Sequence, residues 1–157
     1  MHQDLELPTI VVADDDPAHR LLTVKAFERS GLRHTIQQVG DGEELMDYLL
    51  GQGRHRAGAA TRRMVILLDL NMPRKSGFEV LSEIKNHPRL RRIPVVVLTT
   101  SGEERDVARC YDLGANSFIT KPADFGSFSE AIRELGDYWL KLVAVPPPAR
   151  QAQRAPG

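Results

Sequence analysis

The chain has 157 residues, 41% apolar and 27% charged, which suits one domain with a single sizeable core. Lys plus Arg and Asp plus Glu both number 21, so the basic excess that carries most of a duplex binder's affinity is absent. The longest apolar run, Met64 to Leu68, is too short to cross a bilayer, the first residues lack an export pattern, and one cysteine excludes an internal disulfide framework. No nucleic acid and no membrane are therefore expected as partners, and a cytoplasmic location follows. Cys110 is expected to be a small buried residue of a helix.

Residues 1–7 read as an N-terminal tail and 8–145 as the folded domain. The first β-rich run is Thr9–Ala13. Asp16 then caps a helix whose first turn begins with Pro17, where a missing N–H costs nothing, and Gly31 ends it. Thr35–Val39 is the second run, and Asp41-Gly42 opens the second helix. Residues 51–63, rich in Gly, Ala and Arg, are expected to be an extended surface loop. Met64–Leu68 is the third run and Ser76-Gly77 opens the third helix. Val95–Thr99 follows, then a fourth helix from Ser101-Gly102, then Ser117–Thr120 and a fifth helix capped by Asp124. The third and fourth runs, MVILL and VVVLT, are continuously apolar, as strands buried on both faces must be. Five βα units in series predict a doubly wound α/β domain, a five-stranded parallel sheet of flavodoxin-like order 2-1-3-4-5 with five helices. A tail from 146 to 157 is expected to be disordered.

Ligands of such a sheet bind at the carboxyl ends of its strands. The first strand ends in Asp14, Asp15 and Asp16, the third in Asp69 followed by Asn71, the fourth in Thr99, the fifth in Lys121. Singly, each has a plain reading: a helix cap, a β-former, a solvated lysine. Together they bring acids, a hydroxyl and an ammonium to one edge from four separate segments. Two carboxylates about 4 Å apart repel by roughly 4 kcal/mol at an effective dielectric near 20. Asp14, Asp15 and Asp69 are therefore unfavourable neighbours unless a cation joins them. Magnesium, which takes carboxylates, waters and phosphate oxygens, is the favoured ion; scattered histidines and one cysteine make no zinc site. A carboxylate can also be a nucleophile that forms an acyl phosphate. Asp69 is the best-placed one, with Lys121 and Thr99 to neutralise phosphoryl oxygens.

These segments resemble the receiver domains of two-component response regulators. The matching stretches are IVVADDDP, LLDLNMPRKSG, VVVLTT and FITKP, and the resemblance runs from about Pro8 to Leu142. It implies a phosphoacceptor at Asp69, with Mg2+ bound by Asp15, Asp69 and the backbone carbonyl of Asn71, and Asp14 nearby or acting through water. It implies a switch pair, Thr99 and Phe118, in which Thr99 moves toward the phosphoryl group and Phe118 turns inward. It implies that Lys121 binds a phosphoryl oxygen and that Pro122 follows in a cis bond. It also implies a sensor histidine kinase as donor, and a signalling phosphoacceptor that loses phosphate slowly to water rather than an enzyme. Phe stands where Tyr is common in the family, so ring burial alone must carry that signal.

Phe125, Phe128, Ile132, Leu135, Trp139 and Leu142 form a helical stripe that packs on the sheet. Tyr138, Val143 and Val145 lie off it and enlarge the apolar face. Tyr138, Trp139 and Leu142 are therefore candidates for a dimer or partner face, the alternative being an extension of the core. The ending DYWLKLVAVPPP also resembles single-domain regulators that partner phytochrome-type histidine kinases. With no second domain expected after the fifth unit, output passes through protein contact or phosphorelay to an unknown target.

Other classes fit less well. A haloacid-dehalogenase-type phosphatase needs an acid two positions after its nucleophile, where Asn71 stands. A nucleotide or flavin binder wants a Gly-rich phosphate loop where this chain has three aspartates. A scaffold with vestigial acids would have no use for Asp69, Thr99 and Lys121 together.

Overall fold

Alternate side chains of a strand point to opposite faces, so an apolar run with no polar interruption must be covered on both. The computed structural model, which describes residues 7–53 and 62–149, is built on that requirement. Its strands are β1 (Thr9–Ala13), β2 (Thr35–Val39), β3 (Met64–Leu68), β4 (Val95–Thr99) and β5 (Ser117–Thr120). They pair in parallel in the expected order β2-β1-β3-β4-β5. Met64, Ile66 and Leu68 join one cluster with Leu45, Leu49, Val80, Leu81, Ile84 and Cys110. Val65 and Leu67 join the other with Phe27, Phe128, Ile132 and Leu135. The helices that cover these faces are α1 (Pro17–Arg29), α2 (Gly42–Leu50), α3 (Gly77–Asn86), α4 (Glu104–Asp112) and α5 (Phe125–Gly136).

Most helix starts follow the caps read from the sequence. Asp16, Asp41 and Asp124 each accept backbone N–H groups, and Ser76 with Glu79 forms a reciprocal capping box. The fourth helix is a correction. It opens at Glu104 without a side-chain cap, because the Ser101 hydroxyl donates to the Asp106 carboxylate at 3.0 Å instead of serving the first-turn amides. Gly102 stays outside the helix, where a Cβ would stand 2.9 Å from Thr120 Oγ1.

The last helix also differs from a single regular stripe. After Gly136 the chain widens into a π-helical segment, Asp137–Leu142. Phe128, Ile132 and Leu135 are buried and Trp139 is half-buried, whereas Phe125 and Leu142 are exposed. Val145, expected to enlarge an outer apolar face, is buried in the core, because the chain turns back after the π-helical segment toward the start of β3. Arg63 donates to the Val145 carbonyl at 2.7 Å, and 146–149 line a groove with Met64, Leu90 and Arg92. The first four residues of the expected tail thus lie on the domain. The rest of that tail, most of the 51–63 loop and residues 1–6 lie outside the described residues.

No peptide bond is cis among the described residues, so the Lys121–Pro122 bond is trans, against the expectation. An X–Pro bond favours trans by roughly 0.5–1 kcal/mol, and Lys121 reaches its acidic partner from that isomer.

Candidate functional site

The carboxyl ends of β1, β3, β4 and β5 bring Asp14, Asp69, Thr99 and Lys121 together, Thr99 as the last residue of its strand and the others just after theirs, all four buried. Buried ionisable groups are expensive unless paired, so their partners decide what the place can do. Asp14, the residue after β1, accepts the Asp16 N–H on Oδ1 at 2.9 Å and the Lys121 ammonium on Oδ2 at 2.6 Å. Burial raises its carboxyl above the usual carboxylate range, although the Lys121 ammonium and the Asp16 N–H oppose the shift. Asp69, the residue after β3, accepts the Thr99 hydroxyl on Oδ1 at 3.0 Å and faces Lys121 through Oδ2 at 3.4 Å.

The neighbouring backbone is shaped to hold Asp69. Asn71, exposed, donates its N–H to Asp69 Oδ1 at 3.2 Å, which keeps the β3–α3 turn folded over the carboxylate. Gly77 lets α3 start against the end of β3: a Cβ there would meet the Asp69 carbonyl at 2.5 Å and Leu70 Cα at 2.6 Å. Any side chain at 77 would push the helix off the strand end that carries Asp69.

Asp15 is exposed and completes the acid group. One ligand oxygen from each of Asp14, Asp15 and Asp69 can be chosen so that all lie within 4.8 Å of one another. A single ammonium among three carboxylates leaves negative charge uncompensated, and an all-oxygen donor set suits a hard divalent cation. The residues present therefore fit such an ion.

Phe118 lies apart from this cluster, half-buried on β5 against the core face shared with α3 and α4. Its N–H donates to the Tyr111 hydroxyl at 3.1 Å. Tyr138 and Leu142 are 49% and 75% exposed, and Tyr138 meets the half-buried Trp139 edge-on at 5.2 Å. The structure thus gathers five of the sequence's candidates, Asp14, Asp15, Asp69, Thr99 and Lys121, with Asn71 beside them. It keeps Phe118 and the last-helix residues elsewhere.

One neighbour was not read from the sequence. His19, in the first turn of α1, places Nδ1 3.0 Å from Lys121 Nζ across 102 residues of chain. Its place two residues after Pro17, in the turn that faces the end of β1, was the available signal.

Comparison with known proteins agrees with this geometry. The response regulator receiver domain family matches residues 10–133. The probable methanogenesis regulatory protein FilR2 of Methanothrix harundinacea is 41% identical over 140 residues, 89% of this chain and 88% of that protein. The crystal structure of the phosphorylated cyanobacterial phytochrome response regulator RcpA superposes with a TM-score of 0.84 at 39% identity, covering 89% of this chain and 99% of that one. The Mn2+-bound form of response regulator Rcp1 superposes with a TM-score of 0.80 at 36% identity, covering 88% and 98%. The Rcp1 sequence is that of Synechocystis sp.. Among the described residues, no helix is long and apolar enough to cross a membrane.

Proposed function

The chain belongs to the response regulator receiver domain family, and we propose that it accepts a phosphoryl group on Asp69 from a sensor histidine kinase, with Mg2+ as cofactor. The observation that carries this reading is the environment of one carboxylate. Asp69 has a hydroxyl donor on Oδ1, an ammonium facing Oδ2 and two further carboxylates within metal-sharing distance.

In the reaction an Asp69 oxygen attacks phosphorus, a P–O bond forms, and the P–N bond of the donor phosphohistidine breaks. The electron pair leaves with the imidazole, which takes up a proton. Lys121 and Thr99 stand where they can donate to the equatorial oxygens as charge spreads over them. Asp15, Asp69 and the Asn71 carbonyl would hold the Mg2+, with Asp14 beside it; bound there, the ion screens the carboxylates and neutralises phosphoryl charge. An open groove of about 390 Å³, lined by His19, Leu22, Thr100, Lys121, Pro122 and Phe125 among others, gives a donor access to this end of the sheet. Asn71 offers no acid to speed hydrolysis, which supports a signalling phosphoacceptor, slowly dephosphorylated by water, over an enzyme acting on external substrates.

Thr99 and Phe118 form the switch in this reading. Phosphorylation draws the Thr99 hydroxyl from Asp69 to the phosphoryl group, and the half-buried Phe118 ring moves fully inward behind it. The readout is protein contact in the cytoplasm. The exposed Tyr138 and Leu142 with Trp139 support a homodimer through the last helix. The names of RcpA and of other solved relatives support a phytochrome-type kinase as donor. The test is incubation with labelled acetyl phosphate and Mg2+. Wild type takes up acid-stable, base-labile phosphate and Asp69→Asn takes up none; equal labelling of the variant would remove Asp69 as acceptor.

A further inference from the structure

Lys121 has three N–H bonds, and the site presents three acceptors to them. Nζ lies 2.6 Å from Asp14 Oδ2, 3.0 Å from His19 Nδ1 and 3.4 Å from Asp69 Oδ2. An ammonium can only donate, so Nδ1 of His19 is the acceptor and the ring carries its proton on Nε2. Nε2 lies 3.7 Å from Asp16 Oδ2. The same Asp16 carboxylate caps α1 through Oδ1, which accepts from Ala18 and His19 N–H at 2.9 and 3.4 Å. The helix cap therefore also favours the tautomer that leaves Nδ1 free to accept.

We propose that His19 is a positioning residue of the phosphoryl-transfer site, holding with Asp14 two of the three N–H bonds of Lys121 so that the third points at Asp69. The inference rests on the reading of Asp69 as phosphoacceptor. One anchor, Asp14, fixes how far Nζ can stray but leaves the ammonium free to turn about that contact. A second anchor on a different element removes the turn. The longest of the three contacts is the one to Asp69, the contact that an arriving phosphoryl oxygen can replace without disturbing the other two. The second anchor also has to be neutral. A carboxylate at position 19 would add a fourth negative charge to three already crowded, and would draw Lys121 away from Asp69. An imidazole supplies the lone pair without the charge.

Two substitutions separate this role from simple packing of the first turn of α1. His19→Leu keeps bulk and removes the acceptor. His19→Asn places a carbonyl oxygen one bond from Cγ, where Nδ1 stands, and so restores it. The first readout needs neither metal nor phosphate: the side-chain ammonium resonance of Lys121 in 15N-labelled protein, assigned by its loss in Lys121→Arg. Wild type and His19→Asn show a slowly exchanging ammonium, and His19→Leu shows one that is exchange-broadened. The second readout is the initial rate of labelling by acetyl phosphate at saturating Mg2+. His19→Leu is slower by about tenfold, and His19→Asn returns to within about threefold of wild type. An unchanged Lys121 resonance in His19→Leu, a wild-type rate in that variant, or a His19→Asn rate as slow as that of His19→Leu overturns the proposal. Should His19→Leu fail to fold by circular dichroism, His19→Ala carries the same expectations. If wild type takes up no phosphate, the acceptor reading fails, and the Lys121 resonance alone decides the role of His19.

Discussion

At its start β3 is flanked by Arg63, an exposed cation whose guanidinium donates to the Val145 carbonyl at 2.7 Å. At its end stands Asp69, 10% exposed at the side chain, sharing Lys121 with Asp14. Both ends are polar and both close a loop, yet they sit on opposite sides of the cost of desolvation. A surface guanidinium keeps most of its water and gains one hydrogen bond, worth little net. The carboxyl end withdraws three charged side chains from water and adds a fourth, Asp15, at its rim. Stability alone does not call for that arrangement; apolar residues of similar volume would serve as well or better. What it achieves is a set of groups already aimed, which matters where charge must be met at the moment of reaction.

The comparison can be broken first at Lys121. Lys121→Met leaves Asp14 and Asp69 buried without their cation, and is expected to destabilise the metal-free fold by about 3 kcal/mol in urea unfolding. A loss below about 1 kcal/mol would place the pair at the level of the surface contacts. Next comes the ion. Mg2+ at about a hundred times its Kd is expected to stabilise the protein by roughly 2.7 kcal/mol. Asp15→Asn should raise the melting temperature of the metal-free protein while removing most of that gain. An equal response of variant and wild type would sever the acid cluster from the ion.

Cys110 gives a smaller effect and tests burial in the apolar core. Its thiol is pushed up to about 11, first by burial and then by the nearby Asp106 carboxylate. The folded protein therefore keeps a proton that the unfolded chain releases near pH 9. That contribution to stability is complete below pH 9 and is lost as pH rises toward 11. Wild type should lose stability more steeply than Cys110→Ala between those values, and parallel curves would dismiss the shift. The smallest change is expected at the other end of β3, where Arg63→Ala should cost under about 1 kcal/mol. A loss as large as that of Lys121→Met would show that the two ends are held alike.

The middle of the sheet was legible because β1, β3 and β4 are short, mostly apolar runs buried along their whole length, a pattern that central parallel strands covered on both faces require. The acid cluster was legible because Asp14, Asp15 and Asp69 each lie within two residues of a strand end, and the topology then leaves their positions little freedom. What sequence reasoning missed depends on contacts between distant segments. The position of His19 in the first turn of α1 marks it as near the strand ends, but only packing brings it to Lys121. Ser101 looks like a cap until Asp106 claims its hydroxyl, and Val145 looks like surplus apolar surface until the chain turns back toward Met64. Local pattern shows where a polar group leaves its strand or helix, whereas its partner is chosen by packing.

The central claim is that the buried carboxylate at the end of β3 is the one that carries phosphate. Borohydride reduction of the acetyl-phosphate-treated protein, followed by peptide mass spectrometry, reads that position directly, because an aspartyl phosphate is converted to homoserine. The account predicts homoserine at 69 and unaltered aspartates at 14 and 15. Homoserine at either of those positions, or unaltered aspartate at 69 in protein that has taken up phosphate, would contradict it.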